Sequence, residues 1–500
     1  MEHFDVIIIG AGLSGIGAAR QLQDKCPGRT FAILESRERI GGTWDLFRYP
    51  GIRSDSDMYT MGYDSKPWLN PRAIADGPSI LAYVNEAATE RGIDRHIRFD
   101  RRVVDAAWSS AAARWTVHTT SRTGTIEEFS CNLLLACSGY YRYDKGHTPH
   151  FEGQESFSGP IVHPQHWPED LDCGGKRVVI IGSGATAMTL VPALAASAAK
   201  VTMLQRSPTY VVSLPAKDAV ARFLRTLLPE SLAYRLTRWK NVQFQRWVYH
   251  QTRVKPQEVR RKLLALVRKA LGPGYDVERH FTPRYMPWDQ RLCLVPDGDL
   301  FAAIRGGRAE VVTDEIARIV PDGLELKSGQ RLPADIIVSA TGLEMLWLGG
   351  IAFTVDGKPV DFAETFSYKG MMFSEVPNLI YTLGYINASW TLRSELVAEF
   401  ACRVVNHLHA THTQRCTPRL RPADQRMQRR PLIDDFTPGY ITRAMAAFPK
   451  QGDREPWMNP QNYVLDRKII REGTLEDGVL EFAPATGGHR RAEAQAQAAA

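Results

Sequence analysis

The chemistry most legible in this 500-residue chain lies in two glycine-rich turns. In DVIIIGAGLSGIGAARQL an apolar run meets Gly10, Gly12 and Gly15, and small residues at helical spacing follow. In such a strand–turn–helix the first glycine closes the turn, the second lets backbone approach a pyrophosphate, and the third lets helix pack on strand. The pyrophosphate then meets free N–H groups at the positive end of the helix. The next apolar run, TFAILES, ends in Glu35, where a carboxylate accepts hydrogen bonds from ribose hydroxyls. The full series points to a dinucleotide with an unphosphorylated ribose. A tight turn in any α/β domain would need only the glycines.

KRVVIIGSGATAMTLVPAL repeats the pattern over Gly182, Ser183, Gly184, Ala185, Thr186 and Ala187. The strand after it, KVTMLQRSPTYVV, carries Arg206 and Ser207 where the first unit carries its acid. A cation there suits a ribose 2′-phosphate, so this site is expected to prefer NADPH to NADH. Two dinucleotide sites in one chain imply electron transfer between two cofactors. NADPH would occupy the second site, and FAD, which carries the redox chemistry, the first.

Parallel strands must position these turns. Strand and helix patterns alternate over residues 1–48 and 176–212, and strand patterns return at AEVVTDEIARIV and ADIIVSATG. This predicts an α/β class with parallel sheets. Residues 214–272 are rich in Leu, Arg and Trp, with Leu263, Leu264 and Val267 at helical spacing, and read as a helical insert. No run of eighteen apolar residues occurs, so a transmembrane span is not expected. MEHFDVIIIG has no basic leader and reads as a first strand rather than a signal peptide. The seven cysteines, Cys26, Cys131, Cys137, Cys173, Cys293, Cys402 and Cys416, lack C-x-x-C or metal-ligand spacing. They argue for buried thiols in a reducing cytoplasm, with no disulfide scaffold and no metal site.

Charge is uneven. Net charge is +7, yet eleven of the 62 Lys and Arg residues fall between Arg235 and Lys269, against one acid, Glu258. Trp239, Phe244, Trp247 and Val248 are interleaved with them. Such a segment suits peripheral attachment to an anionic membrane. Composition favours the plainer alternative, a solvated face whose apolar side packs into the core. No recognition module accompanies the charge, which argues against nucleic acid.

One motif remains. FSGPIVHPQHWP places Phe157, Gly159, His163 and Trp167 at fixed intervals just ahead of the second turn. It resembles the F-x-G-x-x-x-H-x-x-x-W-P fingerprint of type I Baeyer–Villiger monooxygenases, with every fixed position filled. GGTWDLFRYPGIRSDSDMYT, CSGYYRYDKG, VSATGL and GYINASWTL resemble the subgroup that contains a mycobacterial ethionamide-activating enzyme and its close relative. Motifs run from about residue 5 to 470.

The resemblance implies a fold of two Rossmann-like domains, one for FAD and one for NADP, with a helical insert. The FAD domain would take residues 1–145 and 343–484. The linker and NADP domain would take 146–212 and 285–342, and the insert 213–284. The low-complexity stretch PATGGHRRAEAQAQAAA itself reads as a disordered tail, 485–500. It implies conversion of linear aliphatic or aryl ketones to esters through a C4a-peroxyflavin, using NADPH and O2, with S-oxidation of sulfides or thioamides as a second activity. Arg291 would be the active-site arginine, with Asp55 as its acid. Ser14, Glu35, Thr43, Trp44, Asp45, Leu46 and Asp55 would line FAD, Val103 would meet the adenine through its backbone, and Arg53 and Ser54 would approach the nicotinamide. His163 and Trp167 would couple domain motion without touching substrate. Many family members have Lys before the arginine. Here it is Gln290, which shifts 2′-phosphate recognition towards Arg206. Rival readings are a heteroatom oxygenase of the flavin-containing monooxygenase type and a non-catalytic flavoprotein redox sensor.

Overall fold

A computed structural model describes residues 1–434 and 436–486. The tail expected over 485–500 lies outside them beyond residue 486. Two sheets organise the chain. The first contains β1 (Glu2–Ile9), β2 (Phe31–Leu34), β3 (Ile97–Arg98), β4 (Arg102–Ser109), β5 (Arg114–Thr120) and β6 (Ile126–Ala136). The second contains β7 (Ile161–Val162), β8 (Arg177–Ile181), β9 (Lys200–Gln205), β10 (Ala309–Thr313) and β11 (Ile336–Ser339). The chain then returns to the first sheet as β12 (Ala352–Val355), β13 (Lys358–Pro359) and β14 (Leu379–Tyr381).

The first sheet runs β13-β12-β4-β5-β6-β1-β2-β3, with β14 also paired to β6. Its β6-β1-β2-β3 part is parallel. Val6, Ile7 and Ile8 of β1 are fully buried, as a central parallel strand covered on both faces must be. The second sheet runs β10-β9-β8-β11-β7 and is parallel throughout. In each sheet the strand that feeds a glycine turn, β1 or β8, lies between neighbours that leave in opposite directions along the strand order. That is the switch point at which α/β sheets bind ligands.

Helix α1 (Leu13–Lys25) follows the first turn, α2 (Gly77–Thr89) packs beside it, and α3 (Ala185–Leu194) follows the second turn. The expected insert is helical: α4 (Ala219–Leu227), α5 (Glu230–Val254) and α6 (Pro256–Leu271). Leu263, Leu264 and Val267 face inward, as their spacing predicts. Helix α7 (Asp299–Arg305) covers the second sheet, and α8 (Trp390–Ala410) is buried against α1. All seven cysteines are free and buried. Among the described residues, no helix is long and apolar enough to cross a membrane.

Candidate active site

Both turns have the geometry their sequences predict. Gly10 has φ +101°, and a Cβ there would lie 2.7 Å from the carbonyl oxygen of Cys137. Gly182 has φ +132°, and its Cβ would lie 2.3 Å from the carbonyl oxygen of Ala340. Gly15 packs so closely that a Cβ would meet the Gly10 oxygen. Neither following helix carries a side-chain cap or an acid in its first turn. Their first N–H groups are therefore free for a phosphate. Gly184 faces open space, so the second turn fits a pyrophosphate as the first does.

Glu35 is buried at the end of β2 and accepts from the Ala11 N–H (2.7 Å) and the Arg37 N–H (2.9 Å). It holds the first turn closed, with acceptor capacity left for a ribose. Ser14 accepts from the indole N–H of Trp390 at 2.7 Å, so α8 docks on the first turn of α1. Thr43, Trp44, Asp45 and Leu46 form one short helix beside the turn. Asp45 is buried there among Arg37, Arg39 and Arg48, and with Trp44 it borders a cleft of about 830 Å³. Val103 is buried in β4 beside a register shift. Ser54 is buried and accepts from the Ser56 N–H at 2.9 Å. Arg53 is bound by Asp299 at the start of α7, which ties its loop to the second sheet.

At the second turn, the Ser183 hydroxyl donates to the Ser207 carbonyl at 3.0 Å and sits 3.1 Å from Thr209 Oγ1. Tyr49 packs near Thr186, and burial pushes its phenol up to about 12. Arg206 and Ser207 are exposed at the end of β9, and Arg206 has no acid within ion-pair distance among the described residues.

The fingerprint sits where the sheets are joined. One connection leaves β6 at Cys137, against Gly10. The other leaves β11 at Ala340, against Gly182. They zip together: Leu346 N–H donates to Tyr140, Arg142 N–H to Glu344 and His147 N–H to Gly342. His163 clamps this zipper. Its Nε2–H donates to the Gly342 carbonyl at 3.0 Å, and its Nδ1 accepts from the Gln165 N–H at 3.2 Å. The buried Gln165 side chain donates to the Arg142 and Tyr143 carbonyls. Both ring nitrogens are thus satisfied in the neutral imidazole. Burial lowers the His163 pKa, opposed by the bond to Gly342. Gly159 lets the chain pass the Asp335 carbonyl, Phe157 packs on the second sheet's outer core, and Trp167 packs on its inner core.

Arg291 and Asp55, 236 residues apart, form an ion pair at 2.7 Å. Asp55 is the main influence raising the Arg291 pKa, so the guanidinium stays charged. One of its five N–H groups serves Asp55, and no other partner exists among the described residues. Tyr140, Tyr141 and Tyr440 lie close enough to influence the Arg291 charge. Tyr140 stacks on Trp390 (5.0 Å, 20°), and its hydroxyl donates to that of Tyr141 at 3.0 Å. Ser14, Trp390, Tyr140 and Tyr141 therefore form a chain of contacts that runs from the first nucleotide turn towards the Arg291–Asp55 pair. These aromatic residues lie in YYRY and NASW, whose composition carries no chemical signature. The resemblance covers both stretches but gives these residues no role, and the folded contacts supply one.

Comparison with known proteins agrees with this arrangement. The chain matches the flavin-binding monooxygenase-like family over residues 4–264. It is 55% identical to the FAD-containing monooxygenase EthA of Mycobacterium tuberculosis over 483 residues, covering 96% of this chain and 98% of that one. It is 47% identical to the probable FAD-binding monooxygenase AlmA of Acinetobacter baylyi over 483 residues, covering 96% of each. An oxidized steroid monooxygenase structure bound to NADP shares its fold, with a TM-score of 0.74 at 23% identity over 96% of this chain and 100% of that one. The chain belongs to the flavin-binding monooxygenase-like family, and it is a flavin monooxygenase of the EthA type. The resemblance read from its motifs stands.

Proposed function

We propose that this flavin monooxygenase is a Baeyer–Villiger enzyme. FAD lies at the first turn and NADPH at the second, and linear aliphatic or aryl ketones become esters. Oxygen transfer to the sulfur of sulfides or thioamides is a second activity. The flavin domain comprises residues 1–145 and 343–484, and the nicotinamide-nucleotide domain comprises 146–212 and 285–342. The observation that carries the reading is the Arg291–Asp55 pair, a fixed cation with unused donors, near the aromatic cluster that packs on the flavin turn.

When bound, reduced FAD supplies activated dioxygen. The chain's residues do the rest. Gly10, Gly12, Ser14, Gly15 and Glu35 hold the flavin nucleotide. Ser183, Thr186, Arg206 and Ser207 hold NADPH. Arg291 stabilises negative charge on the substrate's carbonyl oxygen as that carbon becomes tetrahedral, and Asp55 fixes the guanidinium plane. Tyr140, Tyr141 and Trp390 form a packed aromatic cluster near the pair. A heteroatom oxygenase or a redox sensor has no oxyanion to stabilise and no use for this pair.

The test is Arg291→Ala. Flavin content and NADPH-driven flavin reduction are expected to persist, while ester formation falls by about 10²–10³. Unchanged ester yield would remove Arg291 from the mechanism and with it this reading.

A further inference from the structure

The helical insert presents a surface that the oxygenation chemistry does not use. Of the sixteen large apolar side chains exposed over the described residues, eleven lie between Leu214 and Leu266. Exposed apolar residues scattered singly need no explanation, but a contiguous patch does. Trp239 is 63% exposed, Trp247 58% and Phe223 62%. The expectation that this segment turns its apolar side inward holds for Leu263 and Leu264. It fails for Trp239, Phe244 and Trp247. The reason is that the inner face of α5 is polar: Arg238, Asn241 and Gln245 bind Glu395, Asp57 and Thr60.

The exposed residues are ordered. At about 100° per residue, Leu232, Leu236, Trp239, Trp247 and Val254 of α5 fall in a stripe roughly 80° wide, opposite the buried face. On α4, Val220, Phe223 and Leu227 repeat the pattern beside it. Arg235 and Arg246 run along one edge of the α5 stripe. Neither has an acid within ion-pair distance among the described residues, and the same is true of Arg222, Arg261 and Lys269. An apolar stripe with aromatic rings and a flank of free cations matches the interface of an anionic bilayer. A second copy of the chain fits poorly, because a two-fold contact would set the same cations against each other.

We propose that α4 and α5 dock this enzyme on an anionic lipid surface. The aromatic stripe enters the acyl boundary, and the free cations meet lipid phosphates. The inner face of α5 then lies directly over the site. Asn241 and Gln245 each donate at 2.8 Å to Asp57, two residues from Asp55. Arg253 donates to the Pro287 carbonyl and pairs with Asp289 at 3.1 Å, two residues from Arg291. Docking therefore brings α5, and the Asp57 and Asp289 loops it holds beside the Asp55–Arg291 pair, to the bilayer surface, from which lipophilic substrates partition. The docking itself stands apart from the proposed reaction, and its test does not depend on ester formation.

The test is co-sedimentation of the flavin-loaded full chain with phosphatidylglycerol or phosphatidylcholine vesicles at low and high salt, alongside its oligomeric state in solution. The wild type is expected to bind phosphatidylglycerol about tenfold or more better than phosphatidylcholine at low salt, with the difference shrinking at high salt. Trp239→Ser/Trp247→Ser is expected to lose at least about tenfold in vesicle binding while turning over a small water-soluble substrate at the wild-type rate. Should that variant fail to fold, Arg235→Glu/Arg246→Glu carries the test, with the preference for phosphatidylglycerol lost. No phosphatidylglycerol-dependent sedimentation at low salt overturns the proposal. So does wild-type binding by the variants, or a wild-type dimer that Trp239→Ser/Trp247→Ser makes monomeric.

Discussion

Gly146→Ala tests the hinge clamp without touching any hydrogen-bonding group. A Cβ at Gly146 would lie 2.1 Å from Cε1 and 2.4 Å from Nε2 of His163. The backbone there is not in the left-handed region, so the clash alone is at issue. To reach ordinary contact the ring must retreat by about 1.4 Å. That displacement breaks the 3.0 Å bond to Gly342 and the 3.2 Å bond from Gln165. The Gly342 carbonyl keeps the His147 N–H as a donor, whereas the Gln165 N–H loses its acceptor. At about 1 kcal/mol per bond, the loss is about 2 kcal/mol, or roughly thirtyfold in the clamp's closed population. The assay is a double-mutant cycle with His163→Ala, read by urea unfolding and by the share of NADPH consumed as hydrogen peroxide. Gly146→Ala is expected to cost about 2 kcal/mol in the wild type and under about 0.5 kcal/mol beside His163→Ala, because the ring it displaces is then gone. Equal costs in both backgrounds would refute the claim that this ring joins the two connections.

Four further outcomes are expected. Gly15→Ala would lose flavin, seen as a colourless folded protein, because its Cβ would enter the Gly10 carbonyl. Arg206→Ala would raise the KM for NADPH by about 10–100-fold and leave that for NADH nearly unchanged, since a charged hydrogen bond contributes about 1.5–3 kcal/mol. Trp390→Phe keeps the ring stack on Tyr140 but strips the donor from Ser14, so flavin affinity should fall by about fivefold to tenfold, as equilibrium dialysis would show. Acid should open the clamp. The folded-state pKa of His163 lies below its ordinary value of 6.5, so the unfolded chain binds the extra proton first. Stability from this group is then full above about 6.5 and is lost as pH falls below that value and through the lower folded-state pKa. Coupling should decline only on the acid side of the ordinary histidine value, where the folded His163 takes up its proton, and His163→Ala should flatten that limb of the profile.

The two nucleotide turns were fully legible because their requirements are local: a tight turn, a bare helix start and a residue at a fixed distance along one strand. Parallel sheets and the helical insert followed from periodicity. The Arg291–Asp55 contact was not legible from spacing, since 236 residues separate its partners, and only the motif resemblance pointed to both. Arg53 shows the converse. The resemblance implied a place near the nicotinamide, and the structure adds that its guanidinium is bound by Asp299, a partner that no local pattern reveals. The fingerprint was recognisable as a motif, but its work depends on two connections meeting in space, and that meeting is a tertiary fact. The outward aromatic stripe was missed for a related reason. Composition shows that a helix is amphipathic, whereas which face turns inward depends on the polar residues of Asp57–Thr60 and α8 waiting beneath it.

The most direct test of the account is product analysis with labelled dioxygen. The flavin-loaded enzyme would receive NADPH, ¹⁸O₂, a long-chain 2-ketone, an aryl ketone and a thioether, with products identified by mass spectrometry. The account predicts an ester that carries one labelled oxygen, with labelled sulfoxide as a lesser product. Sulfoxide without ester, or NADPH consumed only to hydrogen peroxide with every ketone, would contradict it.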